Sequence, residues 1–188
     1  NPSDVSKASS LDASDRKVLG SSMPTWYGGW NNTVSYKNFD LNVFFRFSGG
    51  NKIMNASRQS ALFNMDFSNN GTEILGRWIS PEQPGDGMTP KIGYGDASSL
   101  FNDGYTDSHF VESGNYLKLS TLALGYTLPK AVVSKLNMTK IRFYVQGQNL
   151  LTITGYSGLD PETNSRLGVD WNGMPQQRSF TFGANITF

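Results

Sequence analysis

Residues 178–188 alternate in polarity without a break. After Arg178, the residues Phe180, Phe182, Ala184, Ile186 and Phe188 fall at even positions, and Ser179, Thr181, Gly183, Asn185 and Thr187 at odd ones. Successive side chains of a strand point to opposite faces, so this segment presents one apolar face and one small or polar face. Wound as a helix, the same residues would be scattered around the cylinder. The period of two recurs upstream. In 141–151, Ile141, Phe143, Val145 and Leu151 oppose Arg142, Tyr144, Gln146 and Gln148. In 115–128, Leu117 and Leu119 are odd while Leu122, Leu124, Tyr126 and Leu128 are even, a slip that one β-bulge near Ser120 or Thr121 reconciles.

A hairpin is predicted further upstream. Trp26, Trp30, Val34 and Tyr36 share a face, Lys37-Asn38 form the turn, and Phe39, Leu41, Val43, Phe45 and Phe47 return on the same face. Asp40, Asn42 and Arg46 lie on the other, with Phe44 the exception. At a rise of roughly 3.3 Å per residue and a tilt of about 45°, Trp26 and Tyr36 differ in height by roughly 23 Å. That height suits the roughly 25 Å apolar band of an outer-membrane barrel, with aromatic residues at both edges. The connections are lopsided: Lys37-Asn38 and 129–140 are short, 48–113 and 152–177 long. Barrels show this asymmetry, with short turns on the periplasmic side and long loops outside. A short helix is expected within residues 55–67 and a helical turn after Pro129; the run SPEQPGDGMTPKIGYGD is rich in turn residues.

Composition narrows the chemistry. The apolar fraction is 37%, below the roughly 45–50% of soluble domains, yet there are twelve Phe, eight Tyr and four Trp. Sixteen basic residues scattered against fifteen acidic ones leave no footprint for nucleic acid. With no cysteine and one histidine, His109, thiolate metal sites and cysteine nucleophiles are excluded. No apolar run reaches the roughly 18 residues of a membrane-spanning helix, although strands of about 9–11 residues need none. No nucleophile–base pair, metal ligand set or cofactor motif is present, so neither an enzyme nor a cofactor is expected.

Five stretches, in order, resemble the closing segments of SusC/RagA-type TonB-linked outer-membrane transporters: YKNFDLNVFFRFSGGNKIMN (36–55), RWISPEQPGDG (77–87), SGNYLKLSTLALGYTLPK (113–130), IRFYVQGQNLLTITGYSGLDPE (141–162) and PQQRSFTFGANITF (175–188). The resemblance covers roughly residues 20–188. It implies an all-β fold, the last five antiparallel strands of a transmembrane barrel of about 22 strands, with the plug domain outside this chain. In that layout 1–23 is an extracellular loop, 24–47 a hairpin, 48–113 a long extracellular loop, 114–128 a strand, 129–140 a periplasmic turn, 141–152 a strand, 153–177 an extracellular loop and 178–188 the terminal strand. Family members, found in Bacteroidetes, import glycans or peptides through the Gram-negative outer membrane with a SusD-type surface lipoprotein as lid. The partners implied are the remainder of the barrel and its plug, that lipoprotein, the TonB complex through an N-terminal part not in this sequence, the barrel-assembly machinery and membrane lipid. Five strands alone would leave unpaired edges in lipid, so the chain is expected to work with the rest of its barrel.

Residue roles follow, each beside its plainer alternative. Phe180, Phe182, Ile186 and Phe188 read as a barrel-assembly signal, or as an ordinary strand ending on Phe. Trp26, Trp30, Tyr36, Phe39, Phe45 and Phe47 read as lipid-facing or girdle residues in preference to a sugar-stacking surface. Asp40, Asn42, Arg46, Gln146 and Gln148 face the lumen, lining a substrate path or touching the plug. Tyr105, Tyr156 and Trp171, in long connections, are candidate substrate or lid contacts, with loop packing as the alternative. Asp160, Glu162 and Asp170 match no metal-loop pattern and read as turn residues, and His109 as a solvated loop residue. Two other functions fit the same pattern of strands: a soluble all-β carbohydrate-binding module and a passive porin-type barrel.

Overall fold

The structure, a computed structural model, describes residues 16–62, 69–89, 91, 108–162 and 167–188. Eight strands are present among them: β1 (Trp26–Tyr36), β2 (Phe39–Gly49), β3 (Lys52–Asn55), β4 (Val111–Ser113), β5 (Tyr116–Thr127), β6 (Lys140–Thr154), β7 (Val169–Asp170) and β8 (Ser179–Thr187). The five long ones form one antiparallel sheet in the order β1-β2-β5-β6-β8. The all-β antiparallel architecture expected from the alternation is what the chain adopts.

The turns follow from local chemistry. Lys37 takes a left-handed conformation, φ 54°, in the two-residue link between β1 and β2, which pair from Trp26↔Gly49 to Tyr36↔Phe39. Between β5 and β6, Pro129 precedes a helical turn Lys130–Val133 and a tighter turn Ser134–Leu136. Asn137 ends it in the left-handed region, and the Met138 amide donates to the Val133 carbonyl at 3.1 Å. The polarity slip in β5 is a bulge at Ser120: Leu119 pairs with Phe45 and Thr121 with Phe44, leaving Ser120 between them. Opposite it in β6, Asn149 adopts a positive φ of 53° where the pairing shifts again.

The long connections fold together into a second unit. β3 pairs antiparallel with β4 and parallel with β7, so the connection before β5 and the one after β6 share a three-stranded sheet. A π-helical turn occupies Arg58–Leu62. Ile53, Ala56, Phe110 and Tyr156 are buried here, with Met54 and Ile74 against the Phe110 ring. Among the described residues, the only buried apolar side chains elsewhere are Val133 and Ile141 at the opposite end of the large sheet. The core therefore lies beside the sheet ends, and most of the sheet's large apolar side chains are exposed.

Candidate functional site: a two-faced sheet and its ion cluster

Because residues paired across strands share a face, the register sorts the whole sheet into two surfaces. One is apolar. At the turn end its first row is aromatic across four strands: Tyr36, Phe39, Tyr126 and Phe143. The next row is Val34, Leu41, Leu124, Val145 and Phe182, and the middle row Asn32, Val43, Leu122, Gly147 and Phe180. Towards the loop end come Trp30, Phe45, Leu119 and Leu151, then Gly28, Phe47, Leu117 and Ile153, with Trp26 beyond. Trp30 stacks on Phe45 at 5.8 Å and Trp26 leans on Phe47 at 6.2 Å. Phe182 is 77% exposed, and no described helix or strand covers this face. Trp26, Trp30, Tyr36, Phe39, Phe45, Phe47, Phe180, Phe182 and Ile186 all lie on it, and Phe188 follows β8 fully out of the sheet.

The opposite face is polar, and most of its charges are paired. Near the turn end, Arg142 on β6 grips Asp40 on β2 through Nε at 2.9 Å and Nη2 at 2.5 Å. The two reach each other across β5 at Gly125, where a Cβ would stand 2.5 Å from Asp40 Oδ1 and collide with the Arg142 guanidinium. Asn42 donates to Asn31 Oδ1 at 2.8 Å and Thr33 Oγ1 at 2.9 Å. Gln146 and Gln148 pair with Thr181 and Ser179 of β8 on the same face. Phe44, the aromatic exception, lies over Gly29, whose missing side chain leaves room for the ring: a Cβ there would be 2.8 Å from it.

At the loop end a cluster of four charges joins sheet to connection. Lys118 on β5 is 1% exposed, and its Nζ donates to both oxygens of Asp160, at 3.2 and 3.1 Å, and to Glu162. Glu162 also accepts from Arg46 at 2.8 Å and from the Tyr116 hydroxyl at 2.7 Å. A lone ammonium this deep would be expelled or deprotonated; two carboxylates make its burial tolerable. Asp160 accepts the Glu162 amide at 3.0 Å, so the expected turn exists, but its side chain also does the pairing. An open recess of about 510 Å³, lined by Tyr27, Phe44, Arg46 and Tyr116 among others, lies beside this cluster between residues of β1, β2 and β5.

The loop candidates separate. Trp171 is 71% exposed. Tyr156, expected as a substrate or lid contact, is instead 5% exposed, its hydroxyl donating to Asp170 Oδ2 at 2.6 Å. Burial and that carboxylate push the phenol's pKa up, and the ring is spent on packing the loop unit. Tyr105 lies outside the described residues. His109 is half-buried, edge-on to Phe110 at 4.9 Å and with Nε2 3.3 Å from Arg58 Nη2, not a solvated side chain. Arg58 ties this region together, donating to Glu73 at 2.7 Å and to Glu112 at 3.4 Å. Its guanidinium holds the Glu73 carboxyl below the usual range, against the opposing effect of burial.

Among the described residues, no group of three or more His, Cys, Asp or Glu could hold a metal ion, and no helix is long and apolar enough to cross a membrane. A sheet with one exposed apolar face edged by aromatics, and one polar face carrying ion pairs, defines a class: a stretch of outer-membrane β-barrel wall. The chain is related to the TonB-dependent receptors of the SusC/RagA type. It is 32% identical over 95% of its length to TonB-dependent receptor P3 of Formosa agariphila, of which it spans 18%. It is 25% identical, again over 95% of its length, to TonB-dependent receptor SusC of Bacteroides thetaiotaomicron, of which it spans 16%. Among solved structures it matches the RagAB peptide importer in its open-open state (TM-score 0.76) and its closed-closed state (0.77), at 26% identity over 92% of this chain and 18% of that one. The chain thus spans less than a fifth of the length of these relatives. No protein-family model matches it.

Proposed function

We propose that this chain forms part of the wall of a TonB-dependent importer in the Gram-negative outer membrane, one that admits oligosaccharides or oligopeptides with a SusD-type lipoprotein as lid. One observation carries the reading: an uncovered apolar face continuous over five strands, opposite a polar face that carries ion pairs. In water such a face would cost roughly 25 cal/mol for each Å² left uncovered, whereas lipid is its natural complement. The relatives support import, and the RagAB description supports peptides as one substrate class.

In this reading the five strands are the last five of a barrel of about 22 strands, the 48–113 and 153–177 connections face outward, and the 129–140 turn faces the periplasm. The aromatic row Tyr36, Phe39, Tyr126 and Phe143 is the periplasmic girdle, and Trp26 marks the outer one. Asp40, Asn42, Arg46, Gln146 and Gln148 face the lumen and the plug. Phe180, Phe182, Ile186 and Phe188 are offered to the barrel-assembly machinery. Among the described loop candidates, Trp171 is the exposed one available to a lid or a substrate, and Tyr105 stands beside it as the sequence candidate outside the described residues. A soluble carbohydrate-binding module is disfavoured because it would not leave an apolar face exposed over five strands. A passive porin-type barrel is disfavoured by kinship.

The test is to prepare the 188-residue chain alone and follow its state with and without detergent. Dispersal only in detergent supports a membrane wall; a monodisperse 20.7 kDa monomer in plain buffer overturns it and restores the soluble module.

A further inference from the structure

The cluster around Lys118 does more than neutralise itself, because both legs of one connection return to it. On the outgoing leg Asp160 and Glu162 take Lys118, and Glu162 also takes Arg46. On the returning leg the Gln176 amide donates to Asp160 Oδ2 at 3.4 Å, and Gln176 Oε1 accepts from Arg46 at 3.3 Å. Lys118 sits on β5 and Arg46 on β2, neighbouring strands that pair at these two residues. The connection leaving β6 is therefore pinned, at its base and from both sides, to strands that are not its own neighbours in sequence.

We infer that Lys118, Arg46, Asp160, Glu162 and Gln176 form a clamp that holds the two described legs of the connection after β6, residues 155–162 and 167–177, as a fixed strap over the loop end of the polar face, so that this end of the face is narrowed permanently. The inference deepens the barrel reading and rests on it for what the polar face encloses. Three features favour a fixed strap over a gate. Lys118 and Asp160 are buried, so salt screens that pair little. Each carboxylate has several donors, so no single bond releases it. Beyond the clamp the strap pairs through β7 with β3, which gives it a second anchor, and the Tyr156–Asp170 hydrogen bond ties its two legs together.

The test uses the full-length receptor that carries this segment, folded in membranes. A nitroxide placed at Trp171→Cys reports strap motion; this chain has no cysteine of its own to compete. Asp160→Ala with Glu162→Ala cuts the clamp from the loop side, where the strands' own pairing is untouched, and Lys118→Met cuts it from the wall side. Expected is a slow label in the parent that becomes fast in both variants, with protease cleavage between residues 155 and 177 accelerated at least tenfold. The heat-modifiable gel mobility of the barrel should stay unchanged. A label and cleavage rate like the parent's in both variants would overturn the clamp. Loss of the barrel form in the loop-side variant would also overturn it, by showing that the cluster holds the sheet and not the strap. Absence of any heat-modifiable form in the parent would count instead against the barrel reading.

Discussion

Gly125 shows how one missing side chain organises the polar face. Asp40 and Arg142 sit on strands that do not touch, and their bidentate pairing passes over β5 only because Gly125 projects nothing between them. The obstruction in Gly125→Ala would meet the flexible ends of two side chains, not backbone, so the cost is the lost ion pair and not strain. Both partners are partly solvent-exposed, so that cost is about 1 kcal/mol. Unfolding midpoints of the membrane-embedded receptor should fall accordingly in Gly125→Ala, and the same change should have a smaller effect when Asp40→Ala is already present. Equal effects in both backgrounds would mean that the glycine serves something other than the bridge. The alternation placed Asp40 and Arg142 on one face correctly, but nothing in it says that they meet, since their encounter depends on register across three strands. Tyr156 is a similar case. As an aromatic in a long connection it reads as exposed, and it is buried because the connection acquires a core of its own.

At the scale of elements, the long strands were legible because a period of two runs through nine to fifteen residues in each, with one slip in β5. β3, β4 and β7 were not, since two to four residues are too few for any period, and β3 and β7 are brought together only by the large sheet. Their unit is held by Arg58, which reaches Glu73, Glu112 and the His109 carbonyl. The Glu73 pKa lies below its ordinary 4.5 in the folded state, chiefly through the Arg58 hydrogen bonds. A depressed folded pKa means that the unfolded chain binds the proton more tightly, so this contribution is complete above 4.5 and is lost as pH falls through the folded value. Amide protection over 72–77, where Arg77 donates to the Ile74 carbonyl, should therefore weaken on acidification below that range after correction for intrinsic exchange. Glu73→Gln should be less protected at neutral pH and should lack the acid response. Parallel pH profiles for the two proteins would show that Glu73 does not carry the effect.

The described residues form a large sheet whose buried side chains lie beside its ends, an arrangement that has no rationale in water and a direct one in a bilayer. There the apolar rows need no covering layer, while the folded connections need one and build it. This geometry orders the four tryptophans by depth. Trp26 and Trp30 lie on the apolar face four residues apart on β1, so at a rise of roughly 3.3 Å and a tilt of about 45° Trp30 sits about 9 Å nearer the bilayer centre. Trp78 and Trp171 belong to the connections, and Trp171 is exposed. In the full receptor, the emission lost on replacing each tryptophan with phenylalanine isolates its signal. Lipids brominated near the middle of the acyl chain should quench the Trp30 signal more than that of Trp26, shallow bromines should reverse the order, and aqueous acrylamide should reach Trp171 best. Equal quenching of Trp26 and Trp30 by all lipids would mean that β1 does not run through the membrane. Quenching of neither by lipid, with both open to acrylamide, would mean that the apolar face meets protein or water, and the membrane reading of the sheet would fall with it.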